Sequence, residues 1–247
     1  MSSSDASPFD QRAFDVRCEW GVDGVDALAG CRTFIVVDVL SFSTCVAMCC
    51  ERGIETIPCL ESDPEAAALA RARGAELAGR RGDRYSLSPA SLMDLPTGAR
   101  IVLPSPNGAA VALQAARHGH VLAGSLRNRM ATCARAVALR GPFAVIAAGE
   151  RWHGGSLRPA FEDLVAAGAI AALLPGTHSP EVTAAIAAFA KAAPDLHAAL
   201  LGCGSGAELV ERGFAGDVEL AAQLDVCVAA PELVDGAFVQ LSQGSAA

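Results

Sequence analysis

The chain has 247 residues, of which 52% are hydrophobic but only 5% aromatic, and its formal net charge is -8. A body of this size buries roughly 70–75% of its unfolded surface, so a sizeable core built from Ala, Val, Leu and Ile is available. The acidic balance and the single lysine, Lys191, exclude the clustered cations that a nucleic-acid backbone demands of its partner.

Nine cysteines occur without a C-x-x-C pair, which argues for reduced, buried thiols and against a zinc site. Residues 1–10 are polar and carry no apolar signal core, so the expected setting is cytoplasmic. Pro or charged residues break the longest apolar runs, and no membrane span is expected.

In chain order, residues 1–12 open on Ser, Asp and Pro and are expected to form a disordered tail. The remainder, 13–247, reads as a single α/β domain. Residues 13–20 alternate as an edge strand, and 33–38 form an apolar run with one acid at its end, as in a strand buried on both faces. A helix follows over 43–51, a strand over 54–59 and a helix over 64–73. Further strands at 100–103, 120–123 and 144–148 are each trailed by a helix, beginning near Asn107, Arg127 and Glu162. This alternation predicts a mainly parallel sheet with helices on both faces and right-handed crossovers. From 180 onward helices are expected over 181–193, 195–200, 207–212 and 217–224, with strands over 227–230 and 236–241. This C-terminal helical part, about 176–224, is either an insertion that covers the sheet or a smaller helical lobe.

In an open parallel sheet ligands bind beyond the carboxyl ends of the strands. Asp38 ends the first central strand, and Ser43 or Thr44 stands at the start of the next helix. A helix start of that kind is an ordinary N-cap or a phosphate cradle. Asn107 and Gly108 follow the strand at 100–103, and Ser125 and Asn128 follow the one at 120–123. Each is a turn signal alone; three on successive units are expected to converge on one sheet edge. Glu150 follows another strand, and a loop through Trp152, His153, Gly154 and Gly155 leads to Glu162 and Asp163. That acid pair either complements the helix dipole or, with Asp38, holds Mg2+. His153 lies in a Gly-rich loop that a lid motion would bring to substrate.

Taken together, these residues resemble the 2-phosphosulfolactate phosphatase family, whose pattern runs D-V-L-R-A-S-T, G-E-R, N-S-P, T-N-G-T, G-S-x-x-N, A-G, E-D-x-x-A-G and a late S-G. Here Asp38-Val39-Leu40, Ser43-Thr44, Arg81, Ser88-Pro89, Asn107-Gly108, Gly124-Ser125, Asn128, Glu162-Asp163, Ala167-Gly168 and Ser205-Gly206 stand in the same order. The resemblance runs from about Phe34 to Asp225. It implies a family-specific α/β fold and a magnesium-dependent acid phosphatase acting on a small anionic phosphate monoester, in the family's case on the route to coenzyme M. Asp38, Glu162 and Asp163 would arrange the metal and, with His153, form the candidate catalytic set. Ser43, Thr44, Arg80, Arg81, Asn107, Gly108, Ser125 and Asn128 would bind the phosphate. A homodimer is compatible with this reading. The D-x-D pattern of haloacid-dehalogenase phosphatases is absent, because Leu40 occupies its second acid position.

The chain departs from the family at polar positions. Ser41 and Phe42 replace Arg-Ala, Arg80 replaces Glu, Leu87 replaces Asn, and Pro106 and Ala109 replace the threonines around Asn-Gly. Arg80 is expected to return from another loop the cation missing at Ser41. Phe42 and Leu87 are expected to face the pocket and to favour a ligand with one anionic group and an apolar or sugar-like portion. The altered loops also leave open a lyase, transferase or isomerase acting on another small anion, or a catalytically silent binding protein.

Overall fold

The computed structural model describes residues 7–241. Its strands are β1 (Val16–Trp20), β2 (Thr33–Val37), β3 (Glu55–Leu60), β4 (Glu76–Leu77), β5 (Arg100–Ser105), β6 (His120–Gly124), β7 (Phe143–Ala147), β8 (Glu150–Arg151), β9 (Leu157–Arg158), β10 (Pro231–Val234) and β11 (Ala237–Gln240). Its helices are α1 (Gly21–Ala27), α2 (Phe42–Glu51), α3 (Ala66–Arg73), α4 (Gly108–Ala115), α5 (Arg129–Leu139), α6 (Phe161–Ala171), α7 (Pro180–Ala192), α8 (Leu196–Gly202), α9 (Gly204–Glu211) and α10 (Ala215–Ala221).

Strand β2 is apolar from Phe34 to Val37 because both its faces are covered. Phe34 and Val36 enter a cluster with Val46 of α2, Leu103 of β5 and Ala112 of α4. Ile35 and Val37 point the other way, into a cluster with Val165 and Ile170 of α6, Val182 of α7, Leu200 of α8, Leu209 of α9 and Val218 of α10. The period of two along one strand thus separates two cores. The C-terminal helices share their apolar cluster with the sheet.

The large sheet has the order β1-β7-β2-β6-β10-β11-β3-β5-β4, with a separate hairpin of β8 and β9. Most pairings are parallel, but β10 runs antiparallel to β6, β11 to β10, and β3 to β11. Strands β3, β5 and β4 consequently point opposite to β1, β7, β2 and β6. The joints on either side of the β10–β11 hairpin are single residue pairs, Glu232 with Leu122 and Phe238 with Thr56. Such short joints constrain the strand angle weakly, and the segments after β2 and β5 meet despite their opposed directions.

Three expectations need correction. The strand expected over 227–230 begins later, at Pro231, because its backbone is taken elsewhere: Cys227 donates its N–H to the Arg127 carbonyl, and the Ala229 carbonyl accepts from Asn128. Residues 1–6 of the expected tail lie outside the described residues. The rest of it is ordered, with a 3₁₀ turn at Pro8–Asp10 and the Gln11 amide exchanging hydrogen bonds with both backbone groups of Cys18, which covers the edge of β1. Finally, Pro180–Gly202 is a helical run long and apolar enough to cross a membrane by length and composition. Here Val182 and Ala185 are buried in the body of the fold. Gly168 of α6 approaches α7 so closely that a Cβ there would stand 1.9 Å from the Ala185 carbonyl oxygen. A Cβ on Gly206 would likewise lie 1.8 Å from the Leu200 carbonyl oxygen. These contacts explain the small residues in Ala167-Gly168 and Ser205-Gly206.

Candidate active site

The site is assembled where β2, β5 and β7 end. Immediately after β2, the Asp38 carboxylate accepts hydrogen bonds from the N–H groups of Phe42 (3.2 Å) and Gly108 (2.8 Å), which ties the start of α2 to the start of α4. Gly108 is required there, since a Cβ would fall 2.6 Å from Asp38 Oδ2 and 2.5 Å from Phe42 Cδ1. Ser43 and Thr44 serve the same turn. Ser43 Oγ donates to the Asp38 carbonyl at 2.8 Å and Thr44 Oγ1 to the Val39 carbonyl at 2.8 Å, so both protons are spent on backbone.

Asp163, in the first turn of α6, accepts from Val39 N–H and Gly149 N–H, each at 2.8 Å. One buried carboxylate therefore clamps the loop after β2 to the loop after β7. Its neighbour Glu162 is buried and accepts from the Cys203 thiol at 3.3 Å. Burial and the adjacent Glu162 charge hold that thiol in its protonated form, with a pKa of about 12.

A further acid, Glu150, noted in the sequence at a strand end but given no role there, opens β8 and accepts from the Asn107 amide at 3.0 Å. Asp38, Ser41, Arg81, Leu87, Ser105, Asn107, Glu150, Ser205 and Arg212 border a cavity of about 120 Å³. Burial raises Asp38 to about 6, with the Phe42 and Gly108 N–H groups opposing, Glu162 raising it further and Arg81 opposing. Burial raises Glu150 to about 7, reinforced by the charges of Asp38 and Glu162 and opposed by Asn107 and Arg158. Asp163 is pushed well above the ordinary carboxylate range, by burial first and then by Asp38 and Glu162. These acids are mutually repelling charges that fold around a shared space.

The cation facing them is Arg81. Its guanidinium pairs with the buried Asp217, donates to Ser41 Oγ at 3.1 Å and lies over the Phe214 ring at 5.3 Å. Asp217 in turn accepts from Ser88 Oγ at 2.7 Å and from Ala90 N–H at 3.1 Å. The cation expected to compensate for Ser41 is thus Arg81, while Arg80 is exposed and does not border the cavity. Ser105 borders the cavity, and its buried Oγ has no hydrogen-bond partner.

The remaining expected residues lie apart. Ser125 donates through its N–H and its hydroxyl to Asn128 Oδ1, and Asn128 donates to the Ala123 and Ala229 carbonyls. Both side chains are fully buried and pin the C-terminal segment to the end of β6. His153 is exposed in the loop between β8 and β9. Phe42 is a core residue, packed edge-on against Phe238 at 6.0 Å, so of the two apolar replacements only Leu87 borders the cavity. Among the described residues no three His, Cys, Asp or Glu side chains form a cluster able to cage a metal ion.

A family model described as 2-phosphosulpholactate phosphatase matches residues 24–236. The matched span contains every side chain named in this site.

Removing the Asp163 clamp leaves two buried N–H groups without acceptors. Asp163→Ala is expected to lower the unfolding free energy by about 2–5 kcal/mol, measured by urea denaturation. Unchanged stability would show that the clamp does not hold the two loops.

Proposed function

The chain belongs to the 2-phosphosulpholactate phosphatase family, and from that premise we propose that it hydrolyses a small anionic phosphate monoester in the cavity between Asp38, Arg81, Asn107 and Glu150. The family name denotes a phosphatase. The observation that carries the reading to this cavity is Arg81, an arginine anchored by a buried aspartate at the rim of a carboxylate-lined space. Its guanidinium and the Ser41 hydroxyl can bind phosphoryl oxygens together, and Ser105 Oγ supplies another donor in need of a partner.

A divalent cation fits part of the expected ligand set. Asp163 does not border the cavity and does not suit a ligand role, whereas Asp38, which like Asp163 accepts a backbone N–H at each oxygen, does border it. Asp38 and Glu150 border the cavity, and Glu162 acts on both through its charge. Magnesium needs only one or two carboxylates besides substrate oxygens and water, so Asp38 with Glu150 or Glu162 would hold it. When bound, Mg2+ would neutralise phosphoryl oxygens and lower the pKa of a coordinated water. Hydrolysis joins a water oxygen to phosphorus and breaks the bond to the alcohol oxygen, which must gain a proton. Where Glu162 completes the metal site, Glu150, raised to about 7, is free to hold that proton near neutrality; where Glu150 is itself a ligand, water supplies it. The Asn107 amide keeps the Glu150 carboxyl oriented toward the cavity. Ser43, Thr44, Ser125 and Asn128 contribute by fixing loops.

With magnesium present, inorganic phosphate release from phosphate monoesters is expected, and Asp38→Asn should lower kcat/KM by at least about 100-fold while the protein remains folded. Binding of inorganic phosphate without turnover of any ester would favour a silent binding protein instead.

The raised carboxylates also set a pH dependence. Asp38 rises from an ordinary value of 3.8 to about 6 and Glu150 from 4.5 to about 7, so the metal-free fold prefers their protonated forms. The stability that this preference contributes is present at acid pH and is lost as pH rises through that window. A cation replaces the protons above it. Magnesium is therefore expected to raise Tm more at about pH 8 than at about pH 5.5; an equal or reversed effect in a thermal-shift titration would contradict a cation at these acids.

A further inference from the structure

A second cavity, of about 330 Å³, adjoins the first. Asn107 borders both, and its hydrogen bond to Glu150 stands as the partition between them. The β8–β9 hairpin serves the two sides by strand alternation: Glu150 faces the first cavity, and the next residue, Arg151, faces the second.

The two chambers differ in chemistry. The first holds the buried acids and Arg81. The second is walled by Trp20, Val22, Val111 and Leu157, with Ser156 adding a hydroxyl. Its two charged residues, Asp23 and Arg151, are opposite in sign, and Arg151 already donates to the Gly155 carbonyl at 2.9 Å. Gly21 lies on the wall at a φ of +62°, a backbone conformation that favours glycine, and a Cβ there would only touch Leu157, at 3.4 Å. The room is kept by the backbone conformation as well as by the small residues.

The geometry points to a two-chamber substrate site in which the first cavity takes the phosphoryl group and the second takes an uncharged, ring-sized, sugar-like alcohol portion. This assignment rests on the phosphomonoesterase reading. A flat aromatic face beside hydroxyl and guanidinium donors suits a polyol ring. A ligand carrying a carboxylate and a sulfonate besides its phosphate, as the name 2-phosphosulpholactate describes, would bring two more anions. They would meet one committed arginine and an aspartate in the second chamber. In the first chamber Arg81 is taken up by the phosphoryl group, and Arg212 pairs with Glu208. Ionised groups without partners are costly to desolvate, so the compact polyanion is the poorer ligand.

The test compares kcat/KM for a hexose phosphate, methyl phosphate and 2-phosphosulfolactate in the parent and in two variants that fill the second chamber from opposite walls. Ser156→Trp acts from the exposed hairpin and Val22→Trp from the first turn of α1. The hexose phosphate should be the best of the three, and each variant should lower its kcat/KM about tenfold or more relative to methyl phosphate. Greatest activity on 2-phosphosulfolactate, or variants that leave the hexose-to-methyl ratio where it was, would overturn the assignment. Should no ester turn over, the hydrolase reading fails by itself. Calorimetric affinities of the same esters then decide the chamber's role, with the same ranking expected and loss of that ranking overturning it.

Discussion

Val39 N–H and Gly149 N–H both end on the carboxylate of Asp163, at 2.8 Å each. These amides lie two residues beyond two parallel strands whose paired residues end at Val37 and Ala147. Without a common acceptor, neither loop has a reason to keep its shape in a buried place. With it, Asp38 is held beside the end of β7, and Glu150 is carried into the same space. Asp38 repeats the device on the other side, accepting from Phe42 and Gly108 and so bringing the α4 start to the β2 turn. Two aspartates thereby weld three strand ends, of which β2 and β7 are neighbours in the sheet while β5, opposed in direction, is not.

The welding has an electrostatic cost, and at Asp38 and Glu150 that cost faces one cavity. Asp38, Glu150 and Asp163 are each raised by burial, and Glu162 reinforces all three shifts. A purely structural set of acids would be expected to find local counter-charges. Here the anchored cation, Arg81, is itself largely occupied by Asp217, and the excess negative charge faces open space. This lack of compensation is the observation that supports the proposed cation.

Much of the fold was legible because its signals are local. Apolar runs such as Phe34-Ile35-Val36-Val37 mark doubly buried strands, and the acid ending that run led directly to Asp38. The opposed direction of β3, β5 and β4 was not legible. It is imposed by the short β10–β11 hairpin, which enters the sheet from more than a hundred residues beyond β6 and touches each neighbour at one pair. In the site, residue types were read more reliably than residue duties. Ser43, Thr44, Ser125 and Asn128 have the chemistry of phosphate ligands, but their hydrogen bonds are consumed by backbone and, for Ser125, by the Asn128 side chain, a competition that spacing cannot reveal. Arg81 stands at the family's arginine position and Arg80 at its glutamate position, but it is the buried Asp217, distant in sequence, that anchors Arg81. Glu150 carried the same signal as Asp38, an acid following an apolar strand, and was the residue most open to recognition.

The direct test of this account is a crystal structure of the protein with magnesium and inorganic phosphate bound. The account predicts the anion within hydrogen-bonding distance of Arg81 and Ser41, the cation against Asp38, and Asp163 still accepting from Val39 and Gly149. An anion seated outside the cavity of Asp38 and Arg81, or an Asp163 released from its two N–H groups to bind the metal, would contradict it.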